Sequence, residues 1–445
     1  MSRQLAMMLW LVVWGWAPRP ALGQATQEGS RPVPSSPAKA EEPGAAASDT
    51  VTEDLGATAD SSERGLRIYG FADMSYSKVV GGTIGAGASD IITAVSGAPR
   101  HWSFAVGNLD LYLDGQLGSR ARSLAEIRFT YLPSGTQSTA VPDYAQALAT
   151  TTWGGVVIER AWVEYAFSDL VTLRAGQFLT PYGIFNVDHG SPTTVAVQKP
   201  EIASAQLFPE RQIGVEAYGS RYAGGARLGY HLTLSNGRIG NNPAFAAFND
   251  RPGLGGQLFV EGNWLGELRL GVSGYTGRYT ELRLTSAPSL PVPFDSVAVE
   301  YDEHDAAVDV RWEWNKLLLL SEGVYQRVKY TGRGRPANVV AGPEGPVATP
   351  AADYWSAGTY ALAGYRLPWE IMPYAMWELI YQSTGFSPGG LLLFPSGLRA
   401  VVAGVNFRPL PGLVLKVQYD HIWAPNAPAS SNSMDFVRGQ VAWAF

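Results

Sequence analysis

The chain has 445 residues, a formal net charge of -6 and no cysteine, and these values already exclude several functions. Without cysteine there is no disulfide, no zinc–thiolate site, no cysteine nucleophile and no lipid-modified N-terminal cysteine. The charge is too small to argue for a nucleic-acid partner, and none is expected.

Glycine and aromatic residues are abundant, whereas charged residues are scarce. The chain contains 50 Gly, 21 Tyr, 16 Phe and 14 Trp, with 16% charged residues. This composition is typical of many short strands joined by tight turns and flanked by aromatic belts. The mean hydropathy of -0.04 is compatible with a membrane barrel, because lipid-facing and lumen-facing residues alternate and cancel in the average.

The N-terminus has the pattern of a cleaved secretory signal peptide over residues 1–23. Arg3 precedes an apolar run from Leu5 to Trp16, and the small residues Ala21 and Gly23 occupy the positions that a signal peptidase reads. The apolar run is shorter than the roughly 20 residues that a membrane-spanning helix needs. Residues 24–66 are rich in Ala, Pro, Ser and Glu, and we expect a disordered periplasmic segment there because so little apolar area is available for burial.

Residues 67–445 predict sixteen strands joined by alternating short and long connections. Gly118-Ser119, Ser168-Asp169 and Leu265-Gly266 are examples of the short turns, and each is followed by a connection of about a dozen residues or more. Short periplasmic turns and long outer loops are typical of outer-membrane barrels. The predicted fold is therefore all-β, a transmembrane antiparallel β-barrel of about 16 strands. A soluble β-sandwich, the alternative, does not sort its loops by length.

Several strands alternate clearly between apolar and polar residues. In the second strand, Leu109, Leu111 and Leu113 alternate with Asp110 and Asp114, which predicts a lipid-facing side and a lumen-facing side. A polar inner face predicts a water-filled lumen, because unpaired polar groups are costly to bury. Sixteen strands are wide enough for such a channel. The eleventh and twelfth strands, residues 316–329 and 353–366, have no clear face.

The last twelve residues, MDFVRGQVAWAF, predict a closing strand. They place Val441, Trp443 and Phe445 on one face and Arg438 and Gln440 on the other. A terminal aromatic fits a membrane interface. We expect Val441, Trp443 and Phe445 to form the C-terminal signal that the barrel assembly machinery reads, in contact with outer-membrane lipid and lipopolysaccharide.

The longest connection follows the fifth strand and runs over about residues 179–209. The stretch Ile158–Thr194, above all Arg174-Ala175-Gly176-Gln177-Phe178 followed by Thr180-Pro181-Tyr182-Gly183, resembles the phosphate-selective porin O and P family. More broadly, the chain is similar to sixteen-stranded trimeric porins. The resemblance implies a homotrimer in which the third outer loop folds into the barrel and narrows the pore.

A constriction needs charged side chains on both the inserted loop and the facing wall, because a narrow passage amplifies their field on an ion. The candidates on the loop are Thr180, Tyr182, Asn186, Asp188, His189, Lys199 and Glu201. Those on the wall are Arg122, Glu126, Arg128, Arg160, Glu164 and Arg174. The arginines either set selectivity or pair with the glutamates between them. The loop lacks a run of basic residues, which departs from the phosphate-selective pattern and favours a weak anion preference or none.

No catalytic, metal or cofactor site is expected. None of the five histidines has a second histidine at helical metal-ligand spacing, and the predicted barrel supplies no helix to present them. The predicted function is a porin in the outer membrane of a Gram-negative bacterium, passing small hydrophilic solutes or ions by passive diffusion. The alternative is a barrel-embedded hydrolase or adhesin that uses the outer loops, where His101, His189 and His421 lie near the rim.

Overall fold

The computed structural model describes ten ranges of the chain: residues 65–82, 103–130, 155–187, 190–204, 207–238, 251–284, 294–342, 345–383, 397–425 and 433–445. All of them fall within the compact unit from Ala46 to Phe445. The predicted signal peptide and most of the segment 24–66 lie outside the described residues. The last two residues of that segment, Gly65 and Leu66, begin the first strand.

Sixteen antiparallel strands form one closed barrel, as the sequence predicts. They are β1 (Gly65–Gly82), β2 (Ser103–Gln116), β3 (Ala121–Thr130), β4 (Gly155–Ser168), β5 (Val171–Leu179), β6 (Arg211–Ala223), β7 (Ala226–Ser235), β8 (Gly253–Asn263), β9 (Glu267–Leu284), β10 (Phe294–Trp314), β11 (Leu317–Tyr330), β14 (Tyr354–Tyr365), β15 (Ile371–Gln382), β16 (Leu398–Leu410), β17 (Leu413–Trp423) and β18 (Ser433–Ala444). Two further strands, β12 (Ala337–Gly342) and β13 (Gly345–Pro350), pair as a separate hairpin in the outer connection between β11 and β14.

Each barrel strand pairs with its neighbour in the circle, and the long outer connections alternate with short turns. The short turns need unusual backbone angles: Asn315 has a φ of 52° and Trp369 a φ of 62°. Both lie in the left-handed region that tight turns use. Within the described ranges, no helix is long and apolar enough to cross a membrane.

The barrel closes between the first and last strands. Gly70 and Phe445 exchange two backbone hydrogen bonds of 2.9 Å each. Trp443 and Phe445 are exposed on the outer surface, while Arg438 and Gln440 are buried on the inner face. The predicted phase of the terminal strand is therefore correct, and its outward aromatics lie at the short-turn end, where a membrane interface would be.

The two strands with an ambiguous pattern have an apolar inner face. Leu318, Leu320 and Val324 of β11, with Tyr360 and Leu362 of β14, are buried inside the barrel. The sequence left the faces of these two strands unassigned, and the structure shows that protein side chains cover much of their inner face. The outer face of these strands is apolar, and protein covers an inner face that is also largely apolar. Polar and apolar residues therefore do not alternate along the sequence, and neither face could be assigned from it.

Candidate functional site

The connection between β5 and β6, residues Thr180–Glu210, folds into the barrel, and we call it loop 3. In the circle of strands, β15 and β16 lie opposite β5 and β6. Loop 3 makes hydrogen bonds with β15, β16 and β17, so it crosses the lumen. Its single helical turn, α1 (Glu201–Ser204), lies on this path.

The first part of loop 3 is anchored beside β7 and β11. The hydroxyls of Tyr182 and Thr233 are hydrogen-bonded at 2.6 Å. The backbone N–H of Phe185 donates to the Glu322 carboxylate over 2.9 Å. Gly183 has a φ of 73°, and a Cβ there would lie 2.0 Å from a Glu322 carboxylate oxygen. Glycine therefore lets the chain pass close to this wall carboxylate.

Lys416 of β17 holds the middle of loop 3. It belongs to the wall from β15 to β17, across the lumen from the root of the loop, and we call this the far wall. The Nζ of Lys416 donates to the carbonyls of Ser191 and Ala196 over 2.7 and 3.0 Å, and it lies 3.0 Å from the Thr194 hydroxyl. The Lys416 side chain is almost completely buried. An ammonium has three donors, and these three oxygens match that number. Lys416 therefore acts as a clamp on loop 3.

Further contacts extend this attachment along β1 and β15–β17. The Val197 N–H donates to Gln418 over 2.8 Å, and the Asn406 amide donates to the Val195 carbonyl over 3.0 Å. Loop 3 is thus fixed to several adjacent strands at once, as a rigid constriction requires. Other donor–acceptor pairs are Arg408 with the Pro192 carbonyl, Ser191 with Asp73, the Glu201 N–H with Glu378, and Gln326 with the Leu207 carbonyl.

An apolar cluster fills the space between loop 3 and the wall from β10 to β16. Because these side chains are buried against one another, water is excluded from this side of the lumen. The loop contributes Ile184, Phe185, Val195, Ala196, Ile202 and Leu207. The wall contributes Ala307, Leu318, Leu320, Val324, Tyr360, Leu362, Met372, Tyr374, Met376, Ile380 and Val402.

The wall from β1 to β7, which lies across the lumen from the apolar cluster, carries alternating basic and acidic residues. We call the row nearer the short turns the lower charge row. Arg122 donates to Asp114 over 2.9 Å, and Arg174 bridges Glu164 and Glu216 over 2.9 and 3.0 Å. Arg174 also lies 4.2 Å from the Trp162 ring centre, in cation–π contact. Arg67 at 2.7 Å from Asp114 and His231 at 2.7 Å from Glu216 complete the row.

An upper charge row joins this wall to loop 3. Arg128 bridges Asp110 and Glu159 over 2.8 and 2.7 Å. Arg211 also pairs with Glu159, and on its other side lies 3.6 Å from Glu210. Lys199 of the loop pairs with Glu210 at 3.0 Å, and Arg160 pairs with Glu126 of the same wall at 2.6 Å. The upper row therefore runs without interruption from β2 to loop 3.

Glu210 illustrates the electrostatics of the loop. Burial by itself would raise the pKa of this carboxyl, but the charges of Lys199 and Arg211 outweigh burial and lower the pKa below its ordinary value. The carboxylate consequently stays ionised at neutral pH and keeps both basic neighbours in place. Burial raises the pKa of Glu201, farther along the loop.

The candidates from the sequence are distributed as follows. Thr180 and Tyr182 are buried in the root of loop 3, and Asn186 donates to the Thr180 carbonyl over 2.6 Å. Lys199 is half-buried and paired with Glu210. Asp188 and His189 lie outside the described residues. On the wall, Arg122, Glu126, Arg128, Arg160, Glu164 and Arg174 all belong to the two charge rows.

Two groups of residues were not among the candidates. The first comprises the partners that complete the charge rows: Arg67, Asp110, Asp114, Glu159, Glu210, Arg211, Glu216 and His231. The second comprises the wall residues that anchor loop 3, including Asp73, Glu322, Glu378, Asn406, Lys416 and Gln418. Strand alternation marks most of them as inward-facing, but cross-strand register decides which charges meet, and one sequence does not give that register.

Residues 99–281 match the family model described as phosphate-selective porin O and P. This segment contains loop 3 and both charge rows from β2 onward, but amounts to less than half of the chain. No curated protein sequence matches the chain.

Solved structures of similar fold are outer-membrane proteins. An anion-selective porin from Comamonas acidovorans has a TM-score of 0.52 and 11% identity, covering 86% of this chain and 100% of that chain. In-vitro folded OmpT, an outer-membrane protein of Vibrio cholerae, has a TM-score of 0.51 and 8% identity, covering 87% of this chain and 99% of that chain. At such low identity these likenesses establish the fold alone.

A closed barrel of sixteen antiparallel strands with a loop folded into its lumen is the architecture of porin-type outer-membrane barrels. Over its matched segment, the protein resembles the phosphate-selective porin O and P family.

Proposed function

We propose that the protein lets small hydrophilic solutes diffuse through a passage between loop 3 and the wall from β1 to β6. The distribution of polarity inside the barrel carries this proposal. The apolar cluster fills the β10–β16 side, whereas partly exposed Arg122, Lys199, Glu210 and Arg211 face the other side. A hydrated solute keeps its hydrogen bonds only along the polar side.

The charges along this passage support a weak anion preference. The two rows hold seven basic residues, Arg67, Arg122, Arg128, Arg160, Arg174, Lys199 and Arg211, against seven acidic ones, Asp110, Asp114, Glu126, Glu159, Glu164, Glu210 and Glu216. The basic side chains are the more accessible: Lys199 and Arg211 are each 31% exposed, against 18% for Glu210 and 1% for Glu159. A permeating ion therefore meets positive charge first.

Replacing Lys199 by glutamine should shift the channel toward cations. The variant removes an accessible positive charge and leaves Glu210 with Arg211 as its remaining basic partner among the contacts described above. The measurement is the reversal potential across a planar bilayer in a salt gradient, at low ionic strength because salt screens such fields. Arg227→Gln is the matched control, since Arg227 is 33% exposed and pairs with Glu261 near a short turn, away from loop 3. An equal shift in both variants would contradict a selectivity role for Lys199.

The wider setting follows from the barrel class. We propose export through a cleaved signal peptide, assembly into the outer membrane through the C-terminal strand read by the barrel assembly machinery, and a homotrimeric state. Lipid and lipopolysaccharide are the expected surroundings. We propose a channel and not an embedded hydrolase, because the charged residues along the passage form ion pairs with one another. His421, one of the rim histidines, faces outward and contacts Asp435 at 2.6 Å.

A further inference from the structure

Basic and aromatic residues share one level on the outside of the barrel. Arg327 of β11, Trp355 of β14, Tyr381 of β15, Arg399 of β16 and Trp423 of β17 alternate with the inward residues of their strands. Each lies about twelve residues from the short turn of its own strand, and strands of a barrel share one tilt, so the five lie at similar height near the outer-loop end. We call them the outer belt.

The outer belt carries positive charge that no described residue neutralises. Arg327 and Arg399 are both exposed, and neither has an ion pair or side-chain hydrogen bond within the described ranges. The neighbouring carboxylate, Asp302 of β10, is already bound by Arg278 at 2.8 Å and Arg251 at 3.2 Å. Lys329 lies opposite Asp302 in the strand register and adds a further exposed positive charge.

Aromatic rings occupy the space between the two arginines. Tyr325 and Trp355 stack with their ring centres 6.0 Å apart, and Trp355 and Tyr381 follow at 5.1 Å. Arg327 faces Trp355 across the β11–β14 pair, and Arg399 faces Trp423 across the β16–β17 pair. The result is a row of neighbouring aromatic rings with a cation on either side.

The wall formed by β2 and β4 differs at this level. The outward residues toward the outer ends of β2 and β4 include Phe104, Val156 and Ile158, which are exposed and apolar. Hydrocarbon chains suffice to cover that surface. The outer belt, in contrast, needs a neighbour that brings negative charge to the membrane interface.

We propose that the outer belt binds the phosphorylated sugar head group of a glycolipid in the outer leaflet, the lipid A part of lipopolysaccharide. Guanidinium groups bind phosphate through paired, charge-assisted hydrogen bonds, and two arginines on either side of the rings suit a head group with two phosphates. Aromatic rings at this depth offer an apolar surface with polar edges to the sugar. The proposal rests on the outer-membrane location proposed above.

The test compares two double variants of the full-length protein. Arg327→Ala with Arg399→Ala removes the two cations of the belt. Lys316→Ala with Arg366→Ala removes two exposed cations from the short-turn ends of β11 and β14, so it carries the same change in net charge. Binding of purified bisphosphorylated lipid A to folded protein in detergent is measured for both, beside single-channel conductance.

We expect the belt variant to bind lipid A about tenfold or more weakly, since charge-assisted hydrogen bonds at two arginines are lost. The control variant should bind as the wild type does, and conductance should persist in both. Unchanged binding in the belt variant, an equal loss in the control, or equal affinity for dephosphorylated lipid A would overturn the proposal. Displacement of lipid A by millimolar inorganic phosphate would also overturn it, in favour of a free-phosphate site. If the wild-type protein shows no conductance, that result refutes the channel function and not the lipid A site.

Discussion

Replacement of Lys416 by methionine should release loop 3 from the far wall and increase the conductance of the channel. Methionine keeps most of the side-chain volume but has no donor for Ser191, Thr194 and Ala196, the three loop residues that Lys416 holds. Leaving these buried oxygens without a donor should cost roughly 3 kcal/mol or more. The loop then gains freedom at the point where it is fixed to β17.

The measurement is single-channel conductance and its noise in a planar bilayer, together with the temperature at which the folded band is lost on a gel without prior boiling. We expect higher and noisier conductance and a lower unfolding temperature. Lys316→Met provides the control, because Lys316 is exposed at a short turn and should change neither quantity. If Lys416→Met leaves the conductance of a folded channel unchanged, Lys416 is not the clamp that fixes loop 3.

Replacement of Arg128 by methionine should make the passage cation-selective and the barrel less stable. Arg128 lies between Asp110 and Glu159, at 2.8 and 2.7 Å. Both carboxylates are buried, so removing Arg128 takes a cation from the wall, deprives Asp110 of its ion pair described above and leaves Glu159 with Arg211. Breaking a buried pair in this way typically costs about 3–5 kcal/mol.

A second substitution separates the electrostatic effect from a general defect. Arg128→Met combined with Asp110→Asn removes one of the two carboxylate charges, so its reversal potential should return most of the way to the wild-type value. The unfolding temperature should recover in parallel. A reversal potential that does not move in Arg128→Met, measured in folded channels, would mean that the upper charge row has no influence on permeating ions.

The barrel could be predicted from the sequence because the patterns that indicate it are local. Period-two alternation in β2 and in β18, together with short turns such as Leu265-Gly266, required no knowledge of distant contacts. The same local rule failed for β11 and β14. Their inner faces bear Leu320 and Tyr360, which loop 3 covers, and a cover formed by a remote segment leaves no periodic trace in the strand.

The site was predicted in part for a similar reason. Alternation placed Arg128 and Arg174 on the inner wall, yet gave no means to choose between pairing and selectivity. Register shows that both are paired, each with two carboxylates. The contact between Lys416 and Ser191 could not be predicted, because 225 residues of sequence separate the two. Such a contact depends on the path of loop 3 through the lumen, which neither segment encodes alone.

We propose that loop 3 closes the β10–β16 side of the lumen and leaves a passage on the β1–β6 side. Because the chain has no cysteine, single cysteines can be introduced and their reaction with a charged thiol reagent followed through the conductance. The positions are Lys199 and Ser75 on the open side, and Ala196 and Val402 in the apolar cluster.

We expect the reagent to reduce the current through Lys199→Cys and Ser75→Cys channels on first exposure. Channels with Ala196→Cys or Val402→Cys should keep their current. Rapid block of Val402→Cys channels, at the rate seen for Lys199→Cys, would rule out this arrangement of loop 3, because it would place water where the structure has packed side chains.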